Sequence, residues 1–263
     1  LSEARSAGAR VEVCYSPLEA LDLAAREPGR EVVFLAIGFE TTIGPVVSLV
    51  DLAGRRGLRN LSLLTAFKLV PPALHALLAD GEIGIDAFLC PAHVSAIIGA
   101  DAYRPFAEQY HVPCVVAGFE PLDILSGLVR ILAQEVKGEA RVENDYARVV
   151  KAGGNPKAQA LLGRFLEPVD ALWRGVGLIP ASGLGLRPAY AAFDAEKKLG
   201  VRVGPGREQP GCRCGEVIKG KLKPVGCPLF GKACTPDNAY GPCMVSSEGT
   251  CAAYYKYLRL RDE

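Results

Sequence analysis

Val32-Val33-Phe34-Leu35-Ala36-Ile37-Gly38-Phe39-Glu40-Thr41-Thr42 is the stretch that decides the fold. A short apolar, β-branched run stops at a glycine, and polar residues then open an amphipathic segment; this is how a strand feeds a covering helix. The pattern recurs on both sides. Strands are expected at Val11 to Tyr15, Val32 to Ile37, Leu61 to Thr65, Ala87 to Cys90 and Pro113 to Ala117, separated by about the length of a crossover helix with its loops. Helix starts punctuate the same division: Ser16-Pro17-Leu18-Glu19 reads as a capping box with proline at the first helical position, and Pro71-Pro72 and Pro121 can open helices. The expected architecture is α/β, with a Rossmann-like parallel-sheet domain over 1–136.

From 137 to 263 the periodicity degrades, and a second, less regular domain is expected, mainly helical and loop-rich. Gly153-Gly154-Asn155-Pro156 and the glycine-rich run Gly175 to Gly185 break it, with a helix at about Pro156 to Phe165 between them. Gly204-Pro205-Gly206 and Pro210-Gly211 lead into a cysteine cluster, and a short helix is expected from Ala252 to Arg261.

The chain has 263 residues, 49% hydrophobic and 22% charged, which supports a real core and excludes extended disorder. A net charge of +1 gives no global field of the kind that draws proteins onto nucleic acid or anionic membrane. No apolar run approaches the ~20 residues of a membrane-spanning helix, and the first residues lack the basic start and apolar stretch of a signal peptide. The reading is a soluble, cytoplasmic chain. There, clustered cysteines favour metal or redox chemistry over disulfides.

In a parallel sheet the ligand crevice lies beyond the carboxyl ends of the strands. Those positions carry Gly38-Phe39-Glu40-Thr41-Thr42, Ala66-Phe67-Lys68, Pro91-Ala92-His93-Val94-Ser95 and Gly118-Phe119-Glu120-Pro121. Glu40, Thr41, Thr42 and His93 are therefore candidate site residues on one rim. The plainer reading is that Thr41, Thr42 and Ser95 cap helices, Glu40 and Glu120 sit near helix starts, and His93 is structural. A dinucleotide is excluded: no G-x-G-x-x-G follows the first strand, and no P-loop occurs.

Six of the nine cysteines, Cys212, Cys214, Cys227, Cys234, Cys243 and Cys251, fall in the C-terminal stretch, while Cys14, Cys90 and Cys114 are scattered. No pair has the two-residue spacing of a zinc ribbon or thioredoxin motif. Cys227-Pro228 and the interspersed glycines and prolines suit a loop around an iron–sulfur cube, with Lys219, Lys221, Lys223 and Lys232 available to offset thiolate charge. A zinc site using any four of the six is the alternative, which would make the chain a zinc-stabilised binding module. Six thiols exceed the four that either metal site takes, so two are free to form a redox pair.

Long runs resemble the HypD family of nickel–iron hydrogenase maturation proteins: Gly38-Phe39-Glu40-Thr41-Thr42, Pro91-Ala92-His93-Val94-Ser95, Val116-Ala117-Gly118-Phe119-Glu120-Pro121-Leu122-Asp123, Arg213-Cys214-Gly215-Glu216-Val217, Cys227-Pro228-Leu229-Phe230-Gly231 and Met244-Val245-Ser246-Ser247-Glu248-Gly249. The resemblance implies a redox-active scaffold rather than a conventional turnover enzyme. It implies a 4Fe-4S cluster on Cys214, Cys227, Cys234 and Cys251, with Cys212 and Cys243 left over as a candidate redox pair and Cys14, Cys90 and Cys114 as spectators. It implies HypC as partner in assembling an iron centre bearing two cyanides and one carbon monoxide, with cyanide supplied through HypE and HypF. Glu248, Glu40, Thr41, Thr42 and His93 match family motifs around a central cleft. The family's Cys-Gly-Gly-His-Thr and Gly-Cys-Pro-x-Cys motifs are not in this sequence, so the chain is expected to be a fragment without the iron-holding N-terminal domain, mononuclear iron belonging to the complete protein.

Overall fold

The computed structural model describes residues 1–81, 83–202, 204 and 209–258. In chain order the elements are α1 (Ser2–Ser6), α2 (Pro17–Arg26), β1 (Val32–Gly38), α3 (Glu40–Arg55), β2 (Leu61–Lys68), α4 (Val70–Leu78), β3 (Phe88–Pro91), α5 (Ala92–Ile98), α6 (Arg104–Tyr110), β4 (Cys114–Ala117), α7 (Pro121–Lys137), β5 (Val142–Asn144), α8 (Pro156–Phe165), β6 (Leu166–Trp173), β7 (Gly177–Leu186), α9 (Ala195–Leu199), α10 (Cys214–Ile218), α11 (Pro242–Val245) and α12 (Thr250–Tyr257). No described helix is long and apolar enough to cross a membrane. The chain is α/β, and it forms two compact units that do not follow chain order. One comprises Leu1–Phe67, Ala160–Glu167 and Leu184–Arg202; the other comprises Lys68–Gln159, Pro168–Gly183 and Val203–Glu263. The division of contacts therefore differs from a single break near residue 136.

In the first unit, Ser16 caps α2 as its sequence suggests: its hydroxyl accepts from the Leu18 N–H while Glu19 accepts from the Ser16 N–H. Helix α2 buries Ala20, Leu21 and Ala24, and α3 buries Ile43, Val46, Val47, Leu49, Val50 and Ala53, the spacing of one continuous helical stripe. β1 and β2 run parallel with Val32 opposite Leu61 and Gly38 opposite Phe67. Their sheet has the order β1-β2-β7-β6, to which this unit contributes the start of β6 and the end of β7.

In the second unit, β3, β4 and β5 form a separate parallel sheet, with Phe88 opposite Cys114 and Cys114 opposite Val142. Its core gathers Cys90, Tyr103, Phe106, Cys114 and Val116. Helix α7 lies on this sheet through Gly127, where an added Cβ would stand 2.5 Å from Leu89 and 3.1 Å from Ala117.

Two expectations are corrected here. Val11 to Tyr15 is not a strand; Val13 and Tyr15 are exposed, so the alternation there has no neighbour to bury it. The remaining four expected strands do not share one sheet, because β2 takes β7 as its second neighbour and leaves β3 and β4 to pair with β5. The glycine-rich run carries β7, which returns from β6 through Arg174, Gly175 and Val176, a connection so short that it permits only an antiparallel return. Pro156–Phe165 is helical as expected, and Pro72 and Pro121 stand in the first turns of α4 and α7. Of the expected terminal helix, residues 250–257 are helical, while 259–261 lie outside the described residues, as do Pro205 and Gly206 of the linker.

Candidate functional site

The six C-terminal cysteines come from separate short elements of the second unit. Cys214 opens α10, Cys227 ends the 3-10 turn Pro224–Gly226, Cys243 lies on α11 and Cys251 on α12. Cys234 closes a turn in which its N–H donates to the Leu229 carbonyl and its carbonyl accepts from Gly231. Cys214, Cys227, Cys234, Cys243 and Cys251 are buried and Cys212 is half-buried; all nine cysteines of the chain are free thiols. Val217, Met244 and Ala252 pack among Cys214, Cys234, Cys243 and Cys251 and form one small apolar core with them.

Within this cluster the Sγ atoms of Cys243 and Cys251 stand 3.1 Å apart. Cys214 is a neighbour that acts on both leftover thiols, Cys212 and Cys243. The Tyr240 N–H donates to the Cys234 sulfur at 3.4 Å. Burial pushes the Cys212 thiol up to about 11. The neighbouring Cys214 favours the Cys243 thiolate, but the hydrogen bond to Cys251 and burial outweigh it and raise that thiol to about 12.

Two glycines make room for the sulfurs. A Cβ on Gly241 would stand 2.8 Å from the Cys212 sulfur and 3.0 Å from the Cys214 Cβ, and one on Gly175 would stand 2.7 Å from the Cys214 sulfur. A cavity of about 160 Å³ opens over this point, lined by Arg174, Cys212, Arg213, Cys214 and Tyr240 among others. Arg174 is fixed there by donating to the Tyr240 carbonyl at 2.7 Å. Sequence reasoning missed Gly175, Gly241, Arg174 and Tyr240. The Gly241-Pro242-Cys243 tripeptide was a signal for one of them, whereas Arg174 and Gly175 are remote in sequence and carried none.

The donor chemistry fits a thiolate-bound centre, since soft sulfur ligands are what iron–sulfur clusters and zinc both take. Among the described residues, no group of three or more His, Cys, Asp or Glu side chains converges on one ion. Lys219 and Lys221 do not serve as counter-charges to the thiols as expected: both bind the Asp80 carboxylate. Lys223 and Lys232 are exposed. Cys90 and Cys114 belong to the separate core of the β3-β4-β5 sheet, where burial and the neighbouring Cys114 push the Cys90 thiol well up. Cys14 lies in the first unit.

The strand-end residues are divided between the units. Glu40, Thr41 and Thr42 open α3 in the first, with Glu40 2% exposed; His93 opens α5 in the second, exposed, its ring 4.9 Å from that of Phe119. None of the hydroxyls is an N-cap acceptor: Thr42 donates to the Phe39 carbonyl and Ser95 to the Pro91 carbonyl. Glu248 is exposed on the turn between α11 and α12.

The family model for HypD, described as the hydrogenase formation hypA family, matches residues 1–258. The hydrogenase maturation factor HypD of Azotobacter vinelandii is 49% identical over 267 residues, which cover 99% of this chain and 70% of that protein. The hydrogenase expression/formation protein HupD of Azotobacter chroococcum is 47% identical over 99% of this chain and 70% of its own length. The HypD of Escherichia coli K12 is 45% identical over 100% of this chain and 71% of its own length. On this span and identity, the chain belongs to the HypD family of hydrogenase maturation factors.

Proposed function

We propose that this chain is the cluster-bearing part of a nickel–iron hydrogenase maturation scaffold, in which Cys214, Cys227, Cys234 and Cys251 hold a 4Fe-4S cluster. The observation that carries the reading is the packing of Cys214, Cys234 and Cys251, with Cys243, in one small core of the second unit, where Cys227 is buried as well. A single zinc ion needs four ligand atoms all about 2.0–2.3 Å from one centre, whereas a cube spreads its four thiolates over four irons.

A bound cluster of this type supplies electrons singly. The protein's own part is to keep the ligand thiols out of water, to hold the Cys214 sulfur in the space left by Gly175 and Gly241, and to present a dithiol beside it. In our reading Cys212 and Cys243 are that dithiol, both neighbours of Cys214. Their oxidation to a disulfide would form one S–S bond and release two protons and two electrons, and a cluster held by Cys214, Cys227, Cys234 and Cys251 would supply one-electron chemistry beside them. The buried Glu40 with Thr41 and Thr42, the exposed His93 and the exposed Glu248 are the proposed residues around the family's cleft. HypC is the proposed partner, with cyanide delivered through HypE and HypF in the cytoplasm. The iron that receives cyanide and carbon monoxide is cargo, not a resident cofactor of the thiol site.

Anaerobic purification followed by iron, sulfide and zinc analysis tests the assignment. Four irons and four sulfides per chain, with broad absorption near ~400 nm, are expected. A colourless protein with one zinc would overturn it and leave a zinc-stabilised binding module.

A further inference from the structure

The cavity over Cys214 meets one of the two leftover thiols and not the other. Arg174, Cys212, Arg213, Cys214, Glu216 and Tyr240 line it, and Cys227, Cys234, Cys243 and Cys251 are not among its described lining residues. Cys212 is half-buried and opens to the cavity, whereas Cys243 is buried away from it. The Cys212 N–H donates to the Gln209 carbonyl at 3.1 Å, which fixes the turn that carries the thiol. Gly241 leaves room beside the sulfur, since a Cβ there would stand 2.8 Å from it.

The charge around the opening is lopsided. Arg213 donates two hydrogen bonds to the Glu216 carboxylate, so that pair cancels. Arg174 donates to the Tyr240 carbonyl and has no carboxylate partner among the described residues. A guanidinium held by a neutral carbonyl keeps its charge, and its remaining N–H groups form a fork that matches a carboxylate. The cavity therefore offers a sulfur and an uncompensated cation together, the complement of a molecule with a thiol and an acid.

We propose that the cavity takes a small carboxylate-bearing thiol that exchanges with Cys212 and so returns the Cys212–Cys243 pair to its reduced state. The inference rests on the reading of that pair as a dithiol. The incoming thiolate attacks the Cys212 sulfur of the disulfide; a new S–S bond forms to Cys212, the Cys212–Cys243 bond breaks, and Cys243 leaves and takes up a proton. A second thiol attacks the sulfur of the first, giving the small-molecule disulfide and releasing Cys212, which takes up the other proton. Two small thiols lose two electrons and two protons, and the protein disulfide gains them. Access makes Cys212 the sulfur attacked.

Rates of alkylation by iodoacetate and by iodoacetamide, followed at each cysteine by peptide mass spectrometry, test this on the whole reduced chain, purified anaerobically. The ratio of the two rates cancels the thiol's own ionisation and leaves the pull on the reagent's carboxylate. Cys212 should react before Cys243, and its ratio should exceed that of free 2-mercaptoethanol by at least about threefold. Arg174→Gln should remove the excess, Arg174→Lys should retain most of it, and about 1 M salt should abolish it in the parent, which decides the matter even if Arg174→Gln fails to fold. In Cys243→Ser, the disulfide of mercaptoacetate should load Cys212 with one mercaptoacetate, and release the other, at least about threefold faster than uncharged hydroxyethyl disulfide loads it. Cys243 reacting first, a ratio no higher than that of the free thiol, or equal ratios in the parent with and without salt would overturn the proposal. Metal and sulfide analysis of the same sample separates the two readings: a zinc protein removes the cluster and leaves these rates to be judged alone, while an iron–sulfur protein whose ratio ignores salt removes only the thiol site.

Discussion

The sulfur of Cys243 stands 3.1 Å from that of Cys251, although only Cys251 is a proposed cluster ligand. Two thiolates at that distance repel, so one of the two stays protonated, and the raised Cys243 thiol is that one. Replacing Cys251 by alanine should therefore abolish iron and sulfide incorporation, while Cys243→Ala should retain most of it. Full occupancy in Cys251→Ala, or complete loss in Cys243→Ala, would show that the ligand and its neighbour have been exchanged.

Gly241 offers a test that spares the ligands. Its φ of −96° and ψ of 152° suit any residue, so Gly241→Ala carries no backbone strain. The new methyl would nonetheless stand 2.8 Å from the Cys212 sulfur and 3.0 Å from the Cys214 Cβ, forcing both to move. The expected result is a folded protein, judged by far-ultraviolet circular dichroism, that binds less than half the iron of the parent. Unchanged iron content would mean that the Cys212–Cys214 loop yields without disturbing the site.

What the sequence made legible were the features with local causes. The capping box at Ser16, the proline starts of α4 and α7, and helix α8 each depend on neighbours within a few residues. The partition into two sheets depends instead on β2 choosing β7, a strand more than a hundred residues away whose glycines read as a loop. The cysteine stretch declared a metal or redox centre by composition, but its geometry rests on Gly175, reached from the β6–β7 turn, and on Tyr240, whose N–H is aimed at Cys234. Lys219 and Lys221 read equally well as counter-charges to thiolates, and only the long-range approach of Asp80 assigns them elsewhere.

The cysteine-rich segment is stitched to the loop after α4 by a glycine pair. The Gly84 N–H donates to the Lys219 carbonyl at 3.0 Å, and a Cβ on Gly220 would stand 2.4 Å from the Gly84 carbonyl oxygen. Gly220 also has a φ of +70°, so alanine there meets both left-handed strain and a backbone clash. Gly220→Ala should cost about 2–4 kcal/mol in urea unfolding. Gly226→Ala meets only the flexible end of Leu222 and should cost less.

Asp80 secures the same junction by accepting hydrogen bonds from Lys219 and Lys221. The Lys219 bond, more than the Lys221 bond and against some desolvation, holds the Asp80 carboxyl below its ordinary value. A carboxyl depressed in the folded state binds its proton more readily once unfolded, so its contribution is fully present above the unfolded value of about 3.9 and is lost as the pH falls through the lower folded value. Asp80→Asn removes that contribution at every pH while leaving the other carboxylates as they were. The melting temperature of the parent should therefore exceed that of Asp80→Asn at pH 6–7 by a small margin, since the pair is solvent-screened, and the two curves should converge below about pH 4. Thermal melts of both proteins from about pH 3 to about pH 7 at low salt measure the difference directly. A gap that stays constant with pH would assign the effect of the substitution to packing rather than to the ionised carboxylate.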